Sequence, residues 1–170
     1  FIQSTNDKTV NVLMDIVGKT NISAHKGQIG ENFIQNTLIS AYPDAIIESK
    51  VSDAHAGDVS FKNKDYPFIM IESKNYSSPV PSKEVIKFKN DLVNKDCKFG
   101  IFLSFNQKIN NVHDKIYIES YNDITILYAS CIEFNKADIV FPIEFIHYLS
   151  KYKNNFFWII WNKIRFLGRE

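Results

Sequence analysis

The run Lys98–Phe105 (KFGIFLSF) does most to limit how this chain folds. It is too short for a membrane span, which needs roughly 20 apolar residues. Almost wholly apolar, it predicts a central strand covered on both faces, and hence a sheet with helices on each side. The surrounding pattern agrees. Lys26–Tyr42 reads as a helix, with Ile34, Leu38 and Tyr42 on one face and Pro43 ending it. Strands are predicted at Ala45–Lys50, Asp58–Lys62 and Pro67–Lys74, with Asn63–Tyr66 turning the second into the third. After Pro79-Val80-Pro81, Ser82 is placed as the N-cap of a helix to about Lys95, with Val85, Phe88 and Leu92 as its buried stripe. Strands follow at Lys115–Glu119 and Ile124–Ser130, around Tyr121-Asn122-Asp123. A C-terminal helix is expected from about Ile143 with Pro142 at its start, a last segment spans Asn155–Leu167, and Val10–Val17 reads as a short helix. The fold class expected is α/β with a mixed sheet, in the order α-β-β-β-α-β with extra C-terminal strands and helices.

Composition narrows the function classes. With 170 residues, 45% hydrophobic and a net charge of +1, the chain suits one globular domain and is neither a polyelectrolyte nor a disordered tail. The longest apolar run, Phe156–Trp161, has six residues, so no transmembrane segment is expected. Cys97 and Cys131 lack metal-site spacing and are read as reduced thiols, which places the chain in an intracellular, reducing compartment such as cytoplasm or nucleus. The chain opens on Phe1, and we expect a domain excised from a longer protein. Of 20 basic residues only Arg165 and Arg169 are arginines. A nucleic acid would then be gripped through lysine on phosphate more than read at base edges.

The chemistry concentrates in Asp58 and Glu72-Ser73-Lys74. Strand alternation puts Met70, Glu72 and Lys74 on one face and Ile69, Ile71 and Ser73 on the other. A turn centred on Asp65 pairs residues whose numbers sum to about 130, which sets Asp58 opposite Glu72. Two carboxylates about 5 Å apart repel by roughly 3 kcal/mol at an effective dielectric near 20. A divalent cation between them turns repulsion into ligation, and hard oxygen donors suit Mg²⁺ or Mn²⁺. Glu31 heads the apolar stripe Ile34–Leu38–Tyr42 and is expected to point at the sheet; the alternative is an ordinary first-turn acid.

KGQIGENF (Glu31), HAGDVSF (Asp58), IMIESKNY (Glu72, Lys74), the helix from Ser82 and the strand KFGIFLSF together resemble the PD-(D/E)XK nuclease superfamily, especially its Mrr-type restriction endonuclease and archaeal-type Holliday-junction resolvase branches. The likeness covers roughly residues 26–105, and Gly57 stands where the motif's name has proline. It implies a restriction-endonuclease-like core and a Mg²⁺- or Mn²⁺-dependent endonuclease hydrolysing DNA to a 5′-phosphate and a 3′-hydroxyl, in repair, recombination or restriction. Asp58, Glu72 and the Ser73 carbonyl would hold the metal, with Glu31 completing the shell. Lys74 would orient or deprotonate the water. The domain plan expected is an N-terminal extension (1–25), the nuclease core (26–135) and a C-terminal helical segment (136–170).

Candidate nucleic-acid contacts are Lys26, His55, Asn75, Lys83 and Lys87, with Tyr76 beside them; for each lysine a solvated surface residue is the plainer reading, and for His55 a loop histidine. His25, His113 and His147 are read as ordinary surface or core histidines. The tail Lys151–Arg169 interleaves aromatic and basic residues and has three readings: a core-packing helix, a homodimer or neighbouring-domain surface, or a membrane-surface or nucleic-acid patch. Rival functions are an RNA endonuclease on the same fold and a catalytically inactive binding or assembly module.

Overall fold

The computed structural model describes residues 23–49 and 57–152. The Val10–Val17 helix, His55 and the tail from residue 153 therefore lie outside the described residues. Three helices and six strands follow in the order α1 (Ser23–Ala41), β1 (Ile46–Ser49), β2 (Val59–Lys62), β3 (Ile69–Lys74), α2 (Ser82–Asn94), β4 (Phe99–Phe105), β5 (Ile116–Tyr121), β6 (Ile124–Ile132) and α3 (Lys136–Tyr152). The fold is α/β: one mixed sheet ordered β1-β2-β3-β4-β6-β5, flanked by the helices. The apolar run forms β4, parallel to both β3 and β6 and buried from Gly100 to Phe105. Its alternate side chains serve two cores. Ile101, Leu103 and Phe105 meet Ile34 and Leu38 of α1 and Ile143 and Ile146 of α3; Phe102 meets Phe88 and Leu92 of α2 on the opposite face. Residues 136–152 thus help cover the sheet.

The β2–β3 hairpin is built as the turn residues demand. Asn63 Oδ1 accepts the Asp65 N–H at 2.9 Å and the Asn63 carbonyl accepts the Tyr66 N–H at 3.3 Å. Val59 pairs with Ile71, Ser60 with Met70 and Phe61 with Ile69, the register that turn symmetry predicts. Asn122 and Asp123, at φ 48° and 62°, make the two-residue reversal between β5 and β6.

Two helix starts differ from expectation. Ser82 is the first residue of α2 rather than its cap; Pro81 holds the cap position with extended backbone, and the Ser82 hydroxyl accepts from Asn111 at 3.0 Å. Pro142 lies inside α3 instead of opening it. The cause is a cap seven residues upstream: Asn135 Oδ1 accepts the Asp138 N–H at 2.9 Å, while Asp138 Oδ2 accepts the Glu133 N–H and the Asn135 amide, both at 2.9 Å. Asn135→Ala is expected to lower stability by about 1 kcal/mol in urea unfolding.

Candidate active site

The site gathers where β2 begins and β3 ends. Gly57 precedes it at φ +67°, a conformation open to glycine. Any Cβ there would sit 2.6 Å from Met70 Cγ and 3.0 Å from the Ile71 carbonyl oxygen. This turn delivers Asp58 with its N–H on the Ile71 carbonyl at 2.9 Å. The regular ladder stops at Val59, so Asp58 is not a simple rung opposite Glu72. Its Oδ2 instead accepts the Ser73 N–H at 2.8 Å and the Ser73 hydroxyl at 3.2 Å. The carboxylate serves the stretch of β3 that β2 no longer reaches, and Ser73 acts here through its N–H and hydroxyl.

Glu72 follows Met70 on the α2 side of the sheet and is 2% exposed. Its Oε1 accepts the Lys74 ammonium at 2.5 Å; its Oε2 is buried and finds no hydrogen-bond partner among the described residues. Burial first, and then the Asp58 charge, push the Glu72 carboxyl above its ordinary range, against the pull of Lys74 and Lys87. Burial works to lower the Lys74 ammonium, but the surrounding charges of Glu72, Asp58 and Glu84 outweigh it, so Lys74 holds its proton more tightly than an ordinary lysine. The Asp58 charge thus adds to burial at Glu72, and the Lys74 and Lys87 charges offset part of it.

A pH dependence follows. The native chain binds a proton at Glu72 where the unfolded chain does not, so this residue's contribution to stability falls as pH rises from the ordinary value of 4.5 through the raised one. The Lys74 contribution is fully present below its ordinary value of 10.5 and is lost only as pH climbs through the higher folded value. In metal-free urea unfolding, Glu72→Gln is therefore expected to flatten the decline above pH 4.5. An unchanged slope would contradict the burial assigned to Glu72.

Around this centre the other candidates separate. Asn75 donates to the Lys26 carbonyl at 2.9 Å and Lys26 Nζ meets Ser77 Oγ at 3.1 Å, so the start of α1 is tied to the segment leaving β3. Gly30 allows that approach: a Cβ there would lie 3.1 Å from the Phe105 ring and 3.8 Å from Asn75 Cβ. Lys83 and Lys87 are exposed on α2, with the Lys87 charge felt at Glu72. His25 lies in α1, His113 is exposed, and the His147 ring stacks on Tyr66 at 4.0 Å.

Glu31 is half-buried next to Gly30 on α1, which packs on one face of the sheet through Ile34 and Leu38, whereas Glu72 follows Met70 on the other. Among the described residues no three His, Cys, Asp or Glu side chains gather as a metal-holding group. Glu84 was not among the candidates, and it belongs to the site: its Oε2 is 4.0 Å from Lys74 Nζ, and its charge helps to raise the Tyr76 hydroxyl, after burial. A sequence signal existed, because Glu84 shares the helical face of the buried Phe88 and Asp91 at i+4 and i+7.

The donor set fits a divalent cation in one respect that matters energetically. A buried carboxylate oxygen without a donor costs free energy, and a second carboxylate stands beside it. Two such acids supply the hard oxygen donors that Mg²⁺ or Mn²⁺ prefers.

No family model matches the chain, and no curated protein matches it. Among solved structures, the chain is similar to one in the refined half-complex from the tetradecameric assembly of Thermococcus gammatolerans McrB AAA+ hexamers with bound McrC, at 14% identity and a TM-score of 0.45. The likeness covers 68% of this chain and 31% of that one, so the chain spans less than a third of the length it matches. Among the described residues no helix is long and apolar enough to cross a membrane.

Proposed function

We propose that this chain is a divalent-metal-dependent nuclease with a restriction-endonuclease-like core, hydrolysing DNA phosphodiester bonds with weak sequence preference in repair, recombination or restriction. The observation that carries the reading is the buried Oε2 of Glu72, which has no hydrogen-bond partner among the described residues, on a carboxylate whose other oxygen holds the Lys74 ammonium and which feels the Asp58 charge. Supporting it are the β2–β3 hairpin in the expected register and the parallel β3–α2–β4 unit that follows.

Each group has work in such a site. Asp58 and Glu72 would hold the cation, and the two Ser73 donors keep Asp58 from swinging away. Lys74 stays charged across the neutral range and is placed to hold the attacking water or offset charge on the phosphate. The cation, when bound, lowers the pKa of water and stabilises the developing charge on phosphorus-bound oxygen. Lys83 and Lys87 offer phosphate contacts beside the cleft. Both arginines lie outside the described residues, and a surface of lysines grips backbone more than sequence.

Two observations favour a second reading, a nucleic-acid-binding module without turnover: Lys74 sits directly on Glu72, and among the described residues no three acidic, histidine or cysteine side chains gather as a metal-holding group. A substrate panel decides. Supercoiled, linear and branched DNA with matched RNA, incubated with Mg²⁺ or Mn²⁺, is expected to show metal-dependent cleavage of DNA. Cleavage of RNA alone would reassign the substrate. Intact substrates, with no Mn²⁺-dependent rise in melting temperature, would favour the binding module.

A further inference from the structure

Lys74 has two acids within reach. Its Nζ lies 2.5 Å from Glu72 Oε1 and 4.0 Å from Glu84 Oε2. Glu84 stands in the first turn of α2, where an acid ordinarily faces water and the helix dipole suffices to explain it. Here its side chain is only 17% exposed and stands 4.0 Å from the Lys74 ammonium. A carboxylate enclosed in that way beside a lysine is held for a partner, and the proposed reaction gives it no task.

The cation supplies one. Loading a divalent ion between Asp58 and Glu72 brings a second positive charge onto the carboxylate that already holds the ammonium. The two cations repel, and Lys74 must withdraw from Glu72. An ammonium stranded in a half-buried cleft without a counter-charge is unfavourable. Glu84 offers that counter-charge at a distance the flexible four-carbon stem spans by a small rotation. We propose that Glu84 is a positioning residue that takes the Lys74 ammonium over from Glu72 when a divalent cation occupies the Asp58–Glu72 pair. The inference rests on the metal-site reading above and adds to it a linkage: binding the ion and aiming the lysine are one event.

A double-mutant cycle on the 170-residue chain tests this through Mn²⁺ binding, read by calorimetry without nucleic acid. Glu84→Gln is expected to weaken Mn²⁺ about tenfold when Lys74 is present, because the lysine then keeps competing for Glu72. In the Lys74→Gln background the same change is expected to cost about twofold or less, since nothing needs rehousing. Where Lys74→Gln fails to fold, Lys74→Met serves as the background. Equal loss in both backgrounds would show that Glu84 acts on the ion by charge alone; no loss in either would show it idle. Either result overturns the handover and leaves the metal site standing, whereas a wild-type chain that binds no Mn²⁺ overturns both readings.

Discussion

Lys74→Ala is expected to reduce DNA cleavage by about 10² to 10⁴-fold while leaving DNA affinity near that of the wild type. The asymmetry comes from where the charges lie. Lys74 is enclosed by Glu72 and Glu84 with 14% of its side chain exposed, so on the proposed reading it would meet the reacting bond and not the length of a duplex. On the same reading, grip on the backbone would fall to exposed lysines such as Lys83 and Lys87, each phosphate contact contributing separately. Truncation also leaves Glu72 without its ammonium in a buried position, so the metal-free variant should melt below the wild type. Mn²⁺, by supplying a replacement positive charge, should restore part of that loss. Gel assays on the substrate panel, paired with fluorescence anisotropy on the same DNA, separate the two effects. Undiminished cleavage by Lys74→Ala would remove the lysine from the reaction; cleavage and binding lost in parallel would make it a grip residue.

Gly57→Pro writes the proline of the superfamily's motif into this chain, and it is expected to damage the site. Proline fixes φ near −65°, whereas Gly57 is at +67°. Gly57→Ala meets the same obstacle more mildly: left-handed backbone for a residue with a Cβ costs about 1 to 3 kcal/mol, and here the Cβ also presses on buried Met70 and the Ile71 carbonyl. The damage should spread to function, because the turn at Gly57 sets the Asp58 carboxylate on the Ser73 N–H. Urea unfolding should therefore show Gly57→Pro as the less stable of the two, and both variants should bind Mn²⁺ more weakly. A Gly57→Pro chain as stable as wild type would mean that the approach to Asp58 is not the one described.

Much of this arrangement was legible in the residues. An apolar run in β4 can be satisfied only between two layers, and Asn63 with Asp65 specified the hairpin well enough to fix its register. From that register came the adjacency of Asp58 and Glu72, although not the detail that Asp58 leaves the ladder to bond Ser73. That detail depends on a glycine conformation no pattern of side chains announces. For Glu31 the helical wheel gave direction around the helix axis and said nothing of which sheet face the helix would cover. Glu84 was missed for a related reason: first-turn acids are so readily explained by the dipole that its place on the buried face of α2 carried no weight. Pro142 misled about α3 because proline tolerates a helix start, while the Asn135–Asp138 cap was the stronger signal.

The central claim is that Asp58 and Glu72 share one divalent cation, and Mn²⁺ titration followed by electron paramagnetic resonance addresses it most directly. The wild-type chain should remove Mn²⁺ from solution at a single site, and Asp58→Asn and Glu72→Gln, each folded, should lose that site. A wild type that leaves Mn²⁺ free, or single variants that bind it as tightly as the parent, would contradict the account.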